Sequence, residues 1–275
     1  MNFALEPRQV GIVAAKEFRD RIRNRWVLAV TIVFTLFALA IAYVGAAQQG
    51  QVGLRGIDVT IASLVSLAIY LLPLISLILG FDAIVGERER GSLDLLLAMP
   101  ITRLELLLGK FIGLSAALAC STVAGFGLVG ALLAVKLPGA ALYHYAGFVL
   151  SAVLLGVAFL SLAVTVSVFA VDRARASGAA IGLWFFFVLV FDLLLLGALV
   201  VGGGKVGGGV FPYLLLLNPA DVFRILNIFG LDELRTLYGL ATVFPEQLAS
   251  PLLLGAVMLA WITAPLGLAA WKFRR

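Results

Sequence analysis

The 275-residue chain is 63% hydrophobic and only 13% charged, about half the charged share of an average soluble domain. This composition excludes a large soluble domain and predicts an all-α polytopic membrane protein with a single transmembrane domain. The net charge of +5 does not indicate nucleic-acid binding, because the basic residues lie in short segments between apolar runs.

The N-terminal residues 6–25 predict an amphipathic helix at the membrane surface. An apolar side chain recurs at every fourth position, at Val10, Ala14, Phe18 and Ile22. The other positions are mostly basic, which favours contact with an anionic leaflet. A topology signal with no other role is the alternative. Since this stretch lacks the apolar core of a signal peptide, we expect the first span to be its own insertion signal.

Six apolar segments follow, and each is long enough to cross about 30 Å of hydrocarbon. They are residues 26–47, 59–85, 111–137, 141–171, 178–201 and 251–270. Fifteen of the 20 Lys and Arg residues lie in the two termini and in the loops after the second and fourth spans. These four segments fall on the same side of the membrane. The positive-inside rule therefore predicts that both termini are cytoplasmic.

The loop at residues 86–110, GERERGSLDLLLAMPITRLELLLGK, is a charged interruption between the second and third spans. Its apolar residues follow helical spacing, at Leu93, Leu96, Leu97 and Met99, and its polar side is formed by Glu87, Arg88, Glu89, Arg90 and Asp94. This pattern predicts a surface helix of two to three turns from Ser92 that stops at Pro100. Thr102 and Glu105 have the spacing of a capping box, which predicts a new helix start.

This loop resembles the intracellular loop of the permease subunits of ABC-2 type exporters. In that family the surface helix is a coupling helix that lies in a groove of a separate ATPase subunit. The resemblance implies that ATP and Mg²⁺ bind to the partner ATPase, and that this chain has no cofactor. It assigns the coupling role to Gly86, Glu87, Arg88, Glu89, Arg90, Gly91, Leu93, Asp94, Leu96 and Leu97. The alternative is a charged loop that only separates two spans.

Few residues are candidates for chemistry. Cys120 is the single cysteine and His144 the single histidine, so the sequence predicts neither a metal site nor a catalytic site. Asp192 lies near the middle of the fifth span, where an ionised carboxylate costs at least about 2.5 kcal/mol. This position predicts that Asp192 lines the translocation path or lies in a subunit interface. A protonated, hydrogen-bonded structural carboxyl is the alternative.

The long loop at residues 202–250 falls on the opposite side, which the orientation makes periplasmic. It opens with six glycines around Lys205, a flexible joint whose spacing does not match a phosphate-binding loop. A helix is predicted from Asn218, the cap, to Gly230, the stop. Its residues predict either a docking platform for a partner or packing at the membrane interface. The candidate docking residues are Asn218, Pro219, Asp221, Phe223 and Arg224.

Four stretches carry a narrower resemblance: EFRDRIRNRW, FDAIVGERERG, WFFFVLVFDLLLLGALV and LLLLNPADVFRILNIFG. They resemble permeases of nitrous oxide reductase maturation transporters in the inner membrane of bacteria. The resemblance implies a second copy of this chain, two cytoplasmic ATPase subunits and a periplasmic β-helical protein. It also implies a role in assembling a copper–sulfur centre. A membrane scaffold that transports nothing, or an ion-coupled carrier that uses Asp192, is the alternative.

Overall fold

The computed structural model describes residues 6–23, 25–44, 57–134, 139–201, 210–228 and 248–274. Within these ranges all regular structure is helical, which confirms the all-α prediction. The helices are α1 Pro7–Ile22, α2 Arg25–Val44, α3 Ile57–Gly80, α4 Val85–Glu89, α5 Ser92–Leu97, α6 Arg103–Ala134, α7 Gly139–Phe169, α8 Arg173–Phe185, α9 Phe191–Val201, α10 Phe211–Leu215, α11 Pro219–Ile228 and α12 Pro251–Arg274. A π-helical segment, Phe186–Val190, joins α8 to α9.

Five of the predicted spans correspond to helical segments that are long and apolar enough to cross a membrane. They are formed by α3, α6, α7, the continuous α8–π–α9 segment and α12. The first predicted span corresponds to α2, of which the apolar stretch Thr31–Ile41 is described in full. The count of six spans therefore stays a prediction.

α6 and α8 begin before their apolar segments, because capping side chains and not hydrophobicity decide where they start. α6 begins at Arg103, ahead of residue 111, where the third span is predicted to begin. The predicted capping box is confirmed: the Thr102 N–H donates to Glu105 Oε2 at 2.8 Å, and the Glu105 N–H donates to Thr102 Oγ1 at 3.2 Å. Similarly, the Asp172 carboxylate caps α8 by accepting the Arg175 N–H at 2.7 Å.

α7 is the central helix of the bundle and packs against α3, α6, α11 and α12. Tightly packed rings fill the core beside it: Phe126 and Phe148 meet edge to face with centroids 5.0 Å apart, and Phe223 of α11 lies 6.2 Å from Phe148. A second apolar cluster includes Ile84, Leu107 and further residues of α6, α7 and α12. It lies at one end of the bundle, which we call the basic end. Here α1, α4 and α5 lie, α6 and α8 begin, and α7 and α12 end.

α1 lies directly along α6 because two glycines remove the side chains that would hold it away. A Cβ on Gly109 would lie 2.5 Å from Val13 Cβ, and a Cβ on Gly113 would lie 2.6 Å from the Ala14 carbonyl oxygen. The prediction for α1 is therefore only partly correct. The helix is present, but its buried face packs against α6 and includes the charged residue Glu17. This close approach places Glu17 beside α6.

The spans are unequally buried. In α3, α6 and α7 at least half of the apolar stretch is buried within the chain, whereas the share is 22% for α8–π–α9 and 28% for α12. Large apolar side chains such as Leu193, Leu194 and Leu196 project outward from α9. Among the described residues, the bundle therefore has one flank, along α8–π–α9 and α12, that the other helices leave open.

Candidate functional site

α4 is anchored to the end of α7 by a serine that caps its first turn. Ser167 Oγ accepts hydrogen bonds from the N–H groups of Ile84 and Val85, at 2.9 and 3.0 Å. Helix N-termini leave such N–H groups without intrahelical partners, and here a buried hydroxyl of another helix supplies the acceptor. The start of the loop at residues 86–110 is thus fixed to the bundle.

Two charged side chains continue this attachment along α4. The Arg88 guanidinium donates to the Ala170 carbonyl at 2.9 Å and to the Val168 carbonyl at 3.3 Å. Glu89 Oε1 accepts the Arg173 N–H at 2.7 Å. α4 therefore contacts both sides of the turn between α7 and α8.

A buried ion cluster joins α4 to α1 and α6. Lys110 Nζ lies 3.2 Å from Glu17 Oε2 and 3.1 Å from Glu87 Oε1. We call Glu17, Glu87 and Lys110 the Lys110 cluster. Its three members come from three helices, and the lysine is almost completely enclosed.

Asp82, in the turn before α4, forms a second ionic link. Its carboxylate lies 2.7 Å from Arg173 Nε and 3.8 Å from Arg90 Nη1. A side chain at Gly86 would overlap this carboxylate, so the glycine leaves the space in which Asp82 lies. Asp82 thus links the turn before α4 to the start of α8.

α5 has an inward and an outward face. Leu93 is buried, and Leu96 and Leu97 pack against the core of the basic end. Leu95 is directed outward with 72% of its surface exposed, and Met99 is also exposed. The predicted helix of two to three turns is wrong in length, because α5 has only six residues and ends before Met99. Of the predicted coupling residues, the three leucines therefore face the bundle.

A second ion cluster lies further along the fifth span, away from the basic end. The Arg224 guanidinium lies 3.1 Å from Asp192 Oδ2 and 2.5 Å from Asp221 Oδ1. We call these three residues the Arg224 cluster. Burial raises the pKa of Asp221, and Arg224 counteracts only part of that shift. Asp192 thus has a cationic partner within the chain, and its role in a translocation path or a subunit interface stays a prediction.

A carbonyl of the π-helical segment accepts a hydrogen bond from Asn218, which caps the helix that carries Arg224. Asn218 Nδ2 donates to the Phe187 carbonyl at 2.9 Å, and Asn218 Oδ1 accepts the Ala220 N–H at 3.0 Å. The predicted helix cap is therefore present. A π turn interrupts the regular hydrogen-bond ladder, which makes its carbonyls available to side chains.

α11 lies inside the bundle and not on a surface. Asn218, Pro219, Asp221 and Phe223 are all buried, and α11 packs against α3, α7 and α12. These four candidate docking residues offer no exposed side chain to a partner in this structure, and only Arg224 is partly exposed. The sequence analysis predicts this helix either on a partner or at the membrane interface. It does not predict that α11 packs into the core of the chain itself. Residues 229–247, including the predicted stop at Gly230, lie outside the described residues.

Sequence reasoning missed Glu17, Lys110, Ser167 and Arg173 as members of the site. The available signal was the G-x-x-x-G spacing of Gly109 and Gly113, which indicates close helix packing but does not say which helix approaches. Across the described residues, no three His, Cys, Asp or Glu side chains are grouped as metal ligands would be.

Comparison with known proteins identifies the family of the chain. Residues 12–275 match the family described as "ABC-2 family transporter protein". The chain belongs to this family. A probable ABC transporter permease protein NosY from Stutzerimonas stutzeri is 43% identical over 271 residues, which cover 97% of this chain and 98% of the relative. A protein of the same name from Pseudomonas aeruginosa is 43% identical over 270 residues, with the same coverage.

The resemblance of the loop at residues 86–110 to ABC-2 permeases is thereby confirmed. An ABC permease is the membrane subunit of its transporter and generally pairs with cytoplasmic subunits that bind ATP. In this ABC-2 permease the loop is not an isolated spacer: α4 is bonded to α7 and α8, and the Lys110 cluster bonds it to α1 and α6.

Proposed function

We propose that this ABC-2 permease couples a cytoplasmic ATPase to the opposite side of the membrane through the loop at residues 86–110. The basic end faces the cytoplasm, in agreement with the distribution of Lys and Arg. The outward face of α5, with Asp94 and Leu95, and Met99 just beyond the helix contact the ATPase. The proposal rests on one contrast. Leu95 of α5 is exposed, whereas the neighbouring α4 is hydrogen-bonded to Ser167 of α7.

In this mechanism α5 receives the movement and α4 transmits it. When the ATPase subunits close on ATP, they displace α5, and the short turn at Gly91 passes the displacement to α4. Gly91 has a φ of +70°, a left-handed conformation that favours glycine and sets the angle between the two helices. α4 then acts on the α7–α8 turn through Ser167, Arg88 and Glu89, and on α6 through Lys110.

We infer that the transporter acts in nitrous oxide reductase maturation, in the inner membrane of its host. Support comes from the near-full-length similarity to permeases named NosY, together with the sequence stretches that resemble such transporters. The working unit is a homodimer with two ATPase subunits, and the open flank of α8–π–α9 and α12 provides surface for the second copy. A periplasmic β-helical protein receives the output, as a sulfur species or as a mechanical signal.

The proposal is tested by co-expressing the chain with its ATPase subunit and purifying the complex in mild detergent on a tag of this chain. We expect Leu95→Asp to reduce the co-purified ATPase at least about tenfold, because a charge enters an apolar contact whose residues otherwise exclude water. Ile12→Asp is the matched control, since Ile12 is similarly exposed on α1 but lies outside the loop.

A second variant separates transmission from docking. Ser167→Ala removes the acceptor of two N–H groups of α4, so we expect the ATPase to remain bound while its rate no longer differs from that of the isolated ATPase subunit. Equal recovery of ATPase with Leu95→Asp and Ile12→Asp would refute the contact. Full function with an ATPase-dead partner subunit would instead support a scaffold.

A further inference from the structure

A pocket at the basic end combines three cationic side chains with an apolar wall. It has a volume of about 280 Å³ and lies where α7 and α12 end, beside α4 and the start of α6. The lining residues are Arg88, Arg103, Val168, Phe169, Ala170, Val171, Lys272 and Phe273. None of these described lining residues carries a carboxylate, so their chemistry is that of an anion site with an apolar neighbour.

The three cations are held in place by groups that leave their charge unneutralised. Arg88 donates to carbonyls at the end of α7, and Arg103 donates to the Phe273 carbonyl at 3.4 Å while lying 5.8 Å from the centroid of its ring. Lys272 Nζ lies 5.9 Å from the centroid of Phe169. In the described part of the chain none of the three is paired with a carboxylate. Each guanidinium retains donors for a further ligand, because an arginine carries five N–H groups.

The position of the pocket selects among anions. Both α7 and α12 leave the hydrocarbon at this end, and the apolar side chains Phe169 and Val171 are exposed beside the cations. A soluble anion would leave these apolar groups in water, whereas a phospholipid would cover them with its acyl chains. Basic pockets between transmembrane helices are typical binding sites for anionic lipid head groups.

We propose that this pocket binds the phosphate group of an anionic phospholipid such as phosphatidylglycerol. The phosphate contacts Arg88, Arg103 and Lys272, and the acyl chains lie along Phe169 and Val171. A bound lipid would join α4 to the ends of α7 and α12, and would thereby stabilise the loop at residues 86–110 from the membrane side. The proposal needs only the membrane location of the chain, so it can fail or hold independently of ATPase coupling.

The test uses the purified, delipidated full-length chain in mild detergent, titrated with phosphatidylglycerol and followed by native mass spectrometry and thermal unfolding. Phosphatidylcholine tests the requirement for net negative charge, while ATP and inorganic phosphate test for a soluble phosphate. We expect phosphatidylglycerol to bind at least about tenfold more tightly than phosphatidylcholine, since each basic residue near an anionic head group contributes about fivefold.

Two triple variants with the same change in net charge distinguish a pocket from general attraction. Arg88→Gln with Arg103→Gln and Lys272→Gln should reduce phosphatidylglycerol binding to the level of phosphatidylcholine. Arg8→Gln with Arg19→Gln and Arg23→Gln, exposed on or directly after α1 and outside the pocket, should remove only diffuse attraction of the lipid and leave binding at the pocket unchanged. If the first triple variant does not fold, Lys272→Gln alone should weaken binding about fivefold.

Three results would overturn the proposal. Equal loss in both triple variants would indicate diffuse electrostatic attraction. Binding of ATP or inorganic phosphate that depends on the three pocket residues, without retention of phosphatidylglycerol, would indicate a soluble ligand. Protection of these residues only in the complex with the ATPase, with no lipid bound, would indicate an acidic segment of that subunit.

Discussion

The Lys110 cluster and the Arg224 cluster contain the same kinds of groups, two carboxylates around one cation, but differ in their surroundings. The side chains of Lys110 and Glu17 are only 6% and 8% exposed, whereas those of Arg224 and Asp192 are 33% and 39% exposed. The first cluster joins three helices that are distant in sequence. The second joins α11 to the fifth span at the edge of the open flank.

This difference shows that similar ion pairs can serve different purposes. Loss of a partner from an enclosed cluster is costly, because the remaining charge is left in a medium that solvates it poorly. The Lys110 cluster therefore holds α1, α4 and α6 in one arrangement. A cluster with one side open on the outside of the chain can exchange its partner for a group of a neighbouring subunit. The Arg224 cluster is thus the one whose surroundings assembly can change.

The largest effect is expected from Lys110→Met, which leaves two adjacent carboxylates with one more exposed arginine each: Arg21 lies 3.3 Å from Glu17, and Arg90 lies 3.8 Å from Glu87. We expect a loss of about 3 kcal/mol in the free energy of unfolding, measured in detergent, at the lower end of the cost of breaking a buried pair. Lys16→Met is the control: Lys16 pairs with Asp20 at the exposed surface of α1, and its loss should cost no more than about 1 kcal/mol.

A rescue variant shows whether charge or shape is responsible for the effect. Lys110→Met combined with Glu17→Met removes one carboxylate with the cation, and should recover part of the lost stability. If Lys110→Met and Lys16→Met have equal effects, the Lys110 cluster does not hold the helices together.

The next effect concerns the glycines that bring Glu17 to the cluster. Gly113→Val places a Cβ too close to the backbone of α1 and should cost about 1–3 kcal/mol. Gly127→Val lies on the same helix with open space around it, so it is the matched control for helix propensity. Trypsin should cleave α1 faster in Gly113→Val, and equal cleavage in both variants would contradict the close approach of α1.

The smallest effect is expected from Asp192→Asn, because Arg224 keeps its contact with Asp221. The loss of stability should stay within about 1 kcal/mol, because removing a charge from the membrane span offsets part of the lost ion pair. Glu17→Gln removes one carboxylate from the Lys110 cluster and should cost more. The reverse order would show that exposure does not determine the strength of these clusters. Full transport activity in Asp192→Asn would exclude a role of its charge in the translocation path.

The sequence predicts those features that depend on neighbouring residues along the chain. The capping box at Thr102 and Glu105, five of the spans and the glycine spacing of α6 follow from local patterns. The Lys110 cluster does not, since Glu17 and Lys110 are 93 positions apart and nothing local selects their pairing. Composition also cannot distinguish an apolar helix that lies on lipid from one that fits the chain's own core, so the burial of α11 was missed.

The π-helical segment lets the two halves of the fifth span, α8 and α9, take independent rotations about the axis of the span. A residue added within a helix turns everything beyond it by about 100°, since an α-helix has 3.6 residues per turn. α8 can therefore be oriented by Asp172 and Arg173 at the basic end, while α9 is oriented separately to direct Asp192 at Arg224. Deleting one residue from 186–190 would restore a uniform helix with every bond of α8 intact. The same deletion would turn Asp192 away from its cation and the outward leucines toward the core.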